Sequence, residues 1–90
     1  MKWPLLKNTS LSQKEYMIER LIKSGGMKYT EAVQLIMSKI ADDMDVYEVF
    51  KKYGGMRDWQ AVVNAGKMIK IYNKSKIIPK FMMSKMDNNF

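Results

Sequence analysis

The sequence predicts a mainly α protein of four short helices closed by a C-terminal β-hairpin wing, with an all-α bundle as the alternative. Three observations point there. Apolar residues recur at helical spacing over residues 33–44, and glycine pairs at 25–26 and 54–55 divide the helical stretches. Near the end, two β-branched runs flank the small polar loop Asn73-Lys74-Ser75.

Taken in order, residues 1–9 form an arm expected to pack through the indole of Trp3. Ser12-Gln13-Lys14-Glu15 reads as a capping box that starts the first helix, with Leu11 and Tyr16 at the spacing of a hydrophobic staple. That helix runs through Ile18, Leu21 and Ile22 to Gly25-Gly26, where a glycine takes the left-handed cap conformation. Thr30 is the expected cap of the second helix, whose stripe is Val33, Ile36, Met37, Ile40, Ala41 and Met44. Asp42 and Asp43 suit a helix C-terminus poorly, whereas Asp45 and Glu48 make a second capping box. The break is therefore placed near Asp42, and a third helix starts at Val46. It carries Val46, Val49, Phe50 and Tyr53 on one face and stops at Gly54-Gly55.

A fourth helix begins near Asp58 and includes Trp59, Val62 and Val63, whose spacing marks them as a core face. Gly66 decides its end. An interior glycine costs about 1 kcal/mol relative to alanine, whereas a glycine just past a helix is the commonest stop. Asn64-Ala65-Gly66-Lys67 accordingly reads as a terminus, with continuation through Ile69 and Tyr72 as the alternative. Met68-Ile69-Lys70-Ile71-Tyr72 and Lys76-Ile77-Ile78-Pro79 then become the two strands of the wing, with Pro79 at an edge or strand end. A weak echo also spans 29 positions: Gly25-Gly26-Met27-Lys28 with Ala32-Val33 recurs as Gly54-Gly55-Met56-Arg57 with Ala61-Val62. It reads as shared turn chemistry.

Length and composition bound what such a chain does. Ninety residues, 47% of them hydrophobic, give one domain with one shared core. Within it, residues 1–44 are an N-terminal helical pair, 45–80 the part with the wing, and 81–90 a Met-rich tail. No apolar run approaches the roughly 18 residues of a membrane span, and Met1-Lys2-Trp3-Pro4-Leu5-Leu6 is too short for a signal-peptide hydrophobic region. A cytoplasmic, intracellular protein is expected. Cysteine and histidine are both absent, which excludes disulfides, thiolate or imidazole metal sites, and cysteine- or histidine-based catalysis. No pair of acids stands apart from the helix-surface pattern, so no enzyme, cofactor or metal is expected.

Charge is the most informative feature. Residues 1–50 carry seven Lys/Arg against seven Asp/Glu, while residues 51–90 carry nine Lys/Arg against Asp58 and Asp87. The whole net charge of +7 therefore sits in the second half, where it attracts polyanions.

Over residues 45–80, "DVYEVFKKYGGMRDWQAVVNAGKMIKIYNKSKIIPK" resembles the excisionase-type, MerR-like winged helix-turn-helix family. The matching parts are a short helix containing "VYEVFKKYG", a tight turn, a second helix, a glycine-lysine corner at "AGK" and a basic wing closing on "IIP". The chain departs from the family at Phe50, where a small residue usually packs between the two helices. The resemblance implies a second helix in the major groove of double-stranded DNA and a wing on the phosphate backbone or the adjacent minor groove.

The candidate DNA-binding residues follow. Arg57, Gln60 and Asn64 are the base-reading groups of the fourth helix, since Arg pairs with guanine and Gln or Asn with adenine. Lys67, Lys70, Lys74, Lys76 and Lys80 are the phosphate contacts on and beside the wing. The alternatives are an Arg57 paired with Asp58 or Glu48, and lysines that only guard an edge strand. The rival function is a protein-interaction module or inhibitor docking on an acidic partner, or self-association, through residues 12–44 or the tail Phe81–Met86.

Overall fold

The N-terminal arm is fixed by backbone pairing to the middle of the chain. In the computed structural model, which describes residues 2–70, Leu6 N–H donates to the Met44 carbonyl at 2.8 Å and Lys7 N–H to that of Asp42 at 3.1 Å. Val46 N–H donates back to the Pro4 carbonyl at 3.1 Å, and Leu5 faces Asp45 in an isolated antiparallel bridge. Leu6 is fully buried in the 3-10 turn Leu6–Asn8. Trp3 stacks on Tyr47 with ring centroids 6.5 Å apart, so the arm packs through its indole as expected.

Four α-helices follow: α1 (Leu11–Lys23), α2 (Tyr29–Met37), α3 (Val46–Gly54) and α4 (58–70). α1 starts two residues before the expected box. The Ser10 hydroxyl accepts the Gln13 N–H at 3.2 Å, while Gln13 Oε1 accepts the Ser10 N–H at 2.7 Å. The same box pattern fits both frames. The earlier one gains a tertiary bond, because Gln13 Nε2 also donates to the Met68 carbonyl of α4 at 3.1 Å. Leu11 becomes the first helical residue and is 64% exposed, which leaves the expected staple with Tyr16 unmade.

α2 begins after Lys28 rather than at Thr30 and ends at Met37, well before Asp42. Ser38 Oγ donates back to the Gln34 carbonyl, and Lys39 turns the chain with a left-handed φ of 70°. The helix cannot run on because residues 42–46 pair with the N-terminal arm. Its buried stripe is consequently Ala32, Leu35 and Ile36, while Met37 and Ile40 face solvent. α3 matches its expected bounds. The Asp45 carboxylate accepts the Glu48 N–H at 2.8 Å, Val46, Val49 and Phe50 are fully buried, and Gly55 ends the helix at φ 61°.

The expected stop at Gly66 is absent. Residues 58–70 are one helix, so Met68, Ile69 and Lys70, assigned above to a strand, are helical. Magnitudes account for this. The interior glycine costs about 1 kcal/mol, whereas complete burial of Met68 contributes about 1.5–3 kcal/mol; the Gln13 bond to its carbonyl adds to that. The rest of the proposed hairpin, 71–80, and the tail 81–90 lie outside the described residues. Among the described residues the fold is mainly helical, and no helix is long and apolar enough to cross a membrane.

The 29-residue echo reaches further in structure than in sequence. Gly26 and Gly55 both take positive φ, and Met27 N–H bonds the Leu21 carbonyl just as Met56 N–H bonds that of Phe50. Ala32 N–H and Ala61 N–H then close the first turns of α2 and α4 on the carbonyls of Lys28 and Arg57. Burial at Ala32, Leu35 and Ile36 repeats at Ala61, Asn64 and Ala65. Among the described residues α1–α2 and α3–α4 are two helical hairpins built on one kind of turn.

Candidate nucleic-acid interface

α4 meets the core through a narrow face of Ala61, Asn64, Ala65 and Met68, all buried. Ala61 and Ala65 join Phe50, Met56 and Met68 in the core cluster, and their small side chains suit a close approach. The opposite face therefore carries the larger residues. Trp59 is 64% exposed, and Val62 and Val63 are 45% and 46% exposed, which corrects their expected place in the core. Both sets have helical spacing, and side-chain size pointed to the wrong one.

The turn between α3 and α4, residues 55–57, is braced on its outer side. Asp58, the first residue of α4, lies 2.5 Å from Lys51 Nζ and accepts the Tyr47 hydroxyl at 2.9 Å. The Lys51 bond, with that of Tyr47, holds the Asp58 carboxyl below the usual carboxylate range. The same bonds push Lys51 and the Tyr47 phenol above their ordinary values. With Asp58 engaged this way, its partners are Lys51 and Tyr47 rather than Arg57.

The sequence-derived site residues are distributed as follows. Arg57 is exposed at the entrance of α4, with its backbone N–H bonded to Gln60 Oε1 at 3.1 Å. Gln60 is half-buried, and that bond turns its carbonyl oxygen back on the helix start. Asn64 is 7% exposed and donates through Nδ2 to Met56 Sδ at 3.1 Å, so it lies in the core and away from the outer surface. Lys67 and Lys70 are exposed on the last described turns of α4. Lys74, Lys76 and Lys80 lie outside the described residues.

No family model, curated protein or solved structure matches this chain. Its surface is read from its own geometry. The outer side of α4 presents Arg57 at one end, an apolar stripe of Trp59, Val62 and Val63, and Lys67 and Lys70 at the other. Lys52, exposed at the end of α3, sits 5.5 Å from the Tyr53 ring centroid and adds a further cation beside the turn. The arrangement suits contact with an extended anionic surface that also offers apolar groups. The apolar stripe was missed in the sequence; its signal was the run Ala61, Ala65 and Met68, a second helical face of smaller residues.

Proposed function

We propose that the chain is a small, non-catalytic DNA-binding accessory or regulatory protein of the cytoplasm, like those that phages and mobile elements carry. The observation that supports it is the exposed outer side of α4, flanked by Arg57, Lys67 and Lys70, following a helix and a three-residue turn. Helix, short glycine-containing turn and helix is the arrangement that places a second helix in the major groove. Only the helix-turn-helix part of the resemblance to excisionase-type proteins, residues 45–65, points the same way, because the glycine-lysine corner at Gly66 is helical.

In this reading the cations bind phosphates and displace counterions, which fixes register without reading sequence. Arg57 is the remaining candidate for a guanine contact, while Val62 and Val63 suit thymine methyl groups. The lysines beyond residue 70 extend the phosphate contacts. Fluorescence anisotropy with a labelled duplex tests the proposal: log affinity should fall with log salt at about 0.9 per phosphate neutralised. Absence of duplex binding at low salt would sink it.

One observation favours a second reading. Trp59, Val62 and Val63 form an exposed apolar stripe of the kind that anchors protein partners. A protein-interaction module or inhibitor on an acidic partner would use it. Pull-down from nuclease-treated lysate separates the two, since a partner retained without DNA and lost in Trp59→Ala supports this reading.

A further inference from the structure

Away from α4, a groove of about 510 Å³ runs between α1 and α2. Leu11, Tyr29 and Met37 stand along it at 64%, 68% and 43% exposure, with Val33 between them. Glu15 and Glu19, one helical turn apart on α1, also line it; Glu19 pairs with Lys23 at 3.4 Å on the helix surface, and no basic residue lines the groove itself. The groove therefore suits an occupant that is both apolar and cationic.

The chain itself contains one. Beyond Lys70 the sequence holds Lys74, Lys76, Lys80 and Lys85 against Asp87 alone, interleaved with Ile77, Ile78, Phe81, Met82 and Met83. The described chain ends beside α1, where Gln13 bonds the Met68 carbonyl. The five residues 71–75 that precede segment 76–86 span up to about 17 Å when extended, against a helix diameter of about 10–12 Å. That length crosses the width of α1 and brings the segment to the groove side.

We infer that the α1–α2 groove is the docking site for the chain's own segment 76–86. In the chain free of DNA its apolar residues fill the groove and its lysines meet Glu15 and Glu19, contacts that a duplex would compete for. Tethering favours this occupant over a free basic peptide, because a short linker sets a local concentration of about millimolar.

The absence of cysteine makes the test direct. A nitroxide on Ser84→Cys in the full-length, ¹⁵N-labelled chain should broaden the amides of Ile22, Val33 and Met37. The outer side of α4, at Val63 and Lys67, should be spared. Glu15→Gln with Glu19→Gln, both exposed, should weaken the broadening about threefold, with amide dispersion reporting that the fold is kept. A second label at Asn88→Cys should give the same pattern. Uniform broadening, or broadening centred on α4, overturns the proposal. So does broadening that appears only when labelled and spin-labelled chains are mixed, because the occupant would then belong to a second copy.

Discussion

Gly25 lies directly against the backbone of Gly54. A Cβ at Gly25 would stand 2.7 Å from the Gly54 carbonyl oxygen and 3.1 Å from its Cα, and the Leu21 carbonyl oxygen would be equally close at 2.7 Å. The two turns that echo each other in sequence are thus in contact, and the first glycine of each pair is where the hairpins join. The second glycines do a different job: Gly26 and Gly55 take φ of 71° and 61° with open space around them. Gly25→Ala meets backbone atoms that cannot step aside, and should cost about 1–3 kcal/mol. Gly26→Ala meets only the left-handed penalty, about 1–2 kcal/mol. Urea denaturation followed by circular dichroism should show Gly25→Ala with the lower midpoint, and the reverse order would contradict the close approach.

Gly66 gives the opposite sign. It sits inside α4 with nothing within 4 Å of a built Cβ, so alanine there gains helix propensity without a clash. Gly66→Ala should stabilise the protein by about 0.8–1 kcal/mol and raise the urea midpoint. A destabilised variant would mean a left-handed glycine and a helix that stops there.

Local signals were legible and long-range ones were not. Asp45, Gly26 and Gly55 act within a turn or two of their own positions, and their roles follow from residue type and spacing. The Ser10 frame won over Ser12, and α2 ended early, because of partners distant in sequence: Met68 for Gln13, and the N-terminal arm for residues 42–46. The same holds at the candidate interface. Arg57, Lys67 and Lys70 are exposed, but Lys67 and Lys70 stand on a helix where a wing was expected, and Asn64 and Trp59 exchange places because α4 packs through its alanines. Helical spacing alone leaves two faces open, and only the packing partner chooses between them.

The Asp58 brace should be visible in the pH dependence of stability. Asp58 titrates below its unfolded value in the native state, so its contribution is present above about pH 4 and is lost as pH falls through the native value. Tyr47 and Lys51 titrate above their unfolded values, so theirs is present below about pH 10 and is lost as pH rises through the native values. The wild type and Asp58→Asn should therefore differ most in urea midpoint between about pH 5 and 9, with the gap closing at both ends. The Tyr47 phenol, followed by NMR, should titrate at lower pH in Asp58→Asn. An unchanged Tyr47 titration would remove the brace from the account.

If the outer side of α4 contacts DNA, its cations and its buried amide should behave differently. Lys67→Gln and Lys70→Gln should each reduce the slope of log affinity against log salt by about 0.9, and do so equally for unrelated duplexes. Asn64→Ala should leave that slope unchanged while lowering the urea midpoint, because its amide bonds Met56 inside the protein. A slope that responds to Asn64 and not to the lysines would refute this assignment of the surface.

Gln13 links the start of α1 to the last described turns of α4, and its two functions can be separated. Its Oε1 accepts the Ser10 N–H, and its Nε2 donates to the Met68 carbonyl, with the residue 4% exposed. Gln13→Ala loses both and strands a buried carbonyl, which should cost about 1–3 kcal/mol. Gln13→Glu keeps the acceptor that satisfies Ser10 but replaces the donor with a carboxylate oxygen facing another oxygen. It should therefore be less stable at neutral pH than Gln13→Ala, and should recover at acid pH as the carboxyl regains a proton to donate. Hydrogen exchange should locate the effect: the amides of residues 66–70 lose protection in both variants, while those of α3 keep it. Equal stability of Gln13→Glu and wild type at pH 7 would mean that the Met68 carbonyl does not need this donor, and that burial of Met68 alone carries α4 past Gly66.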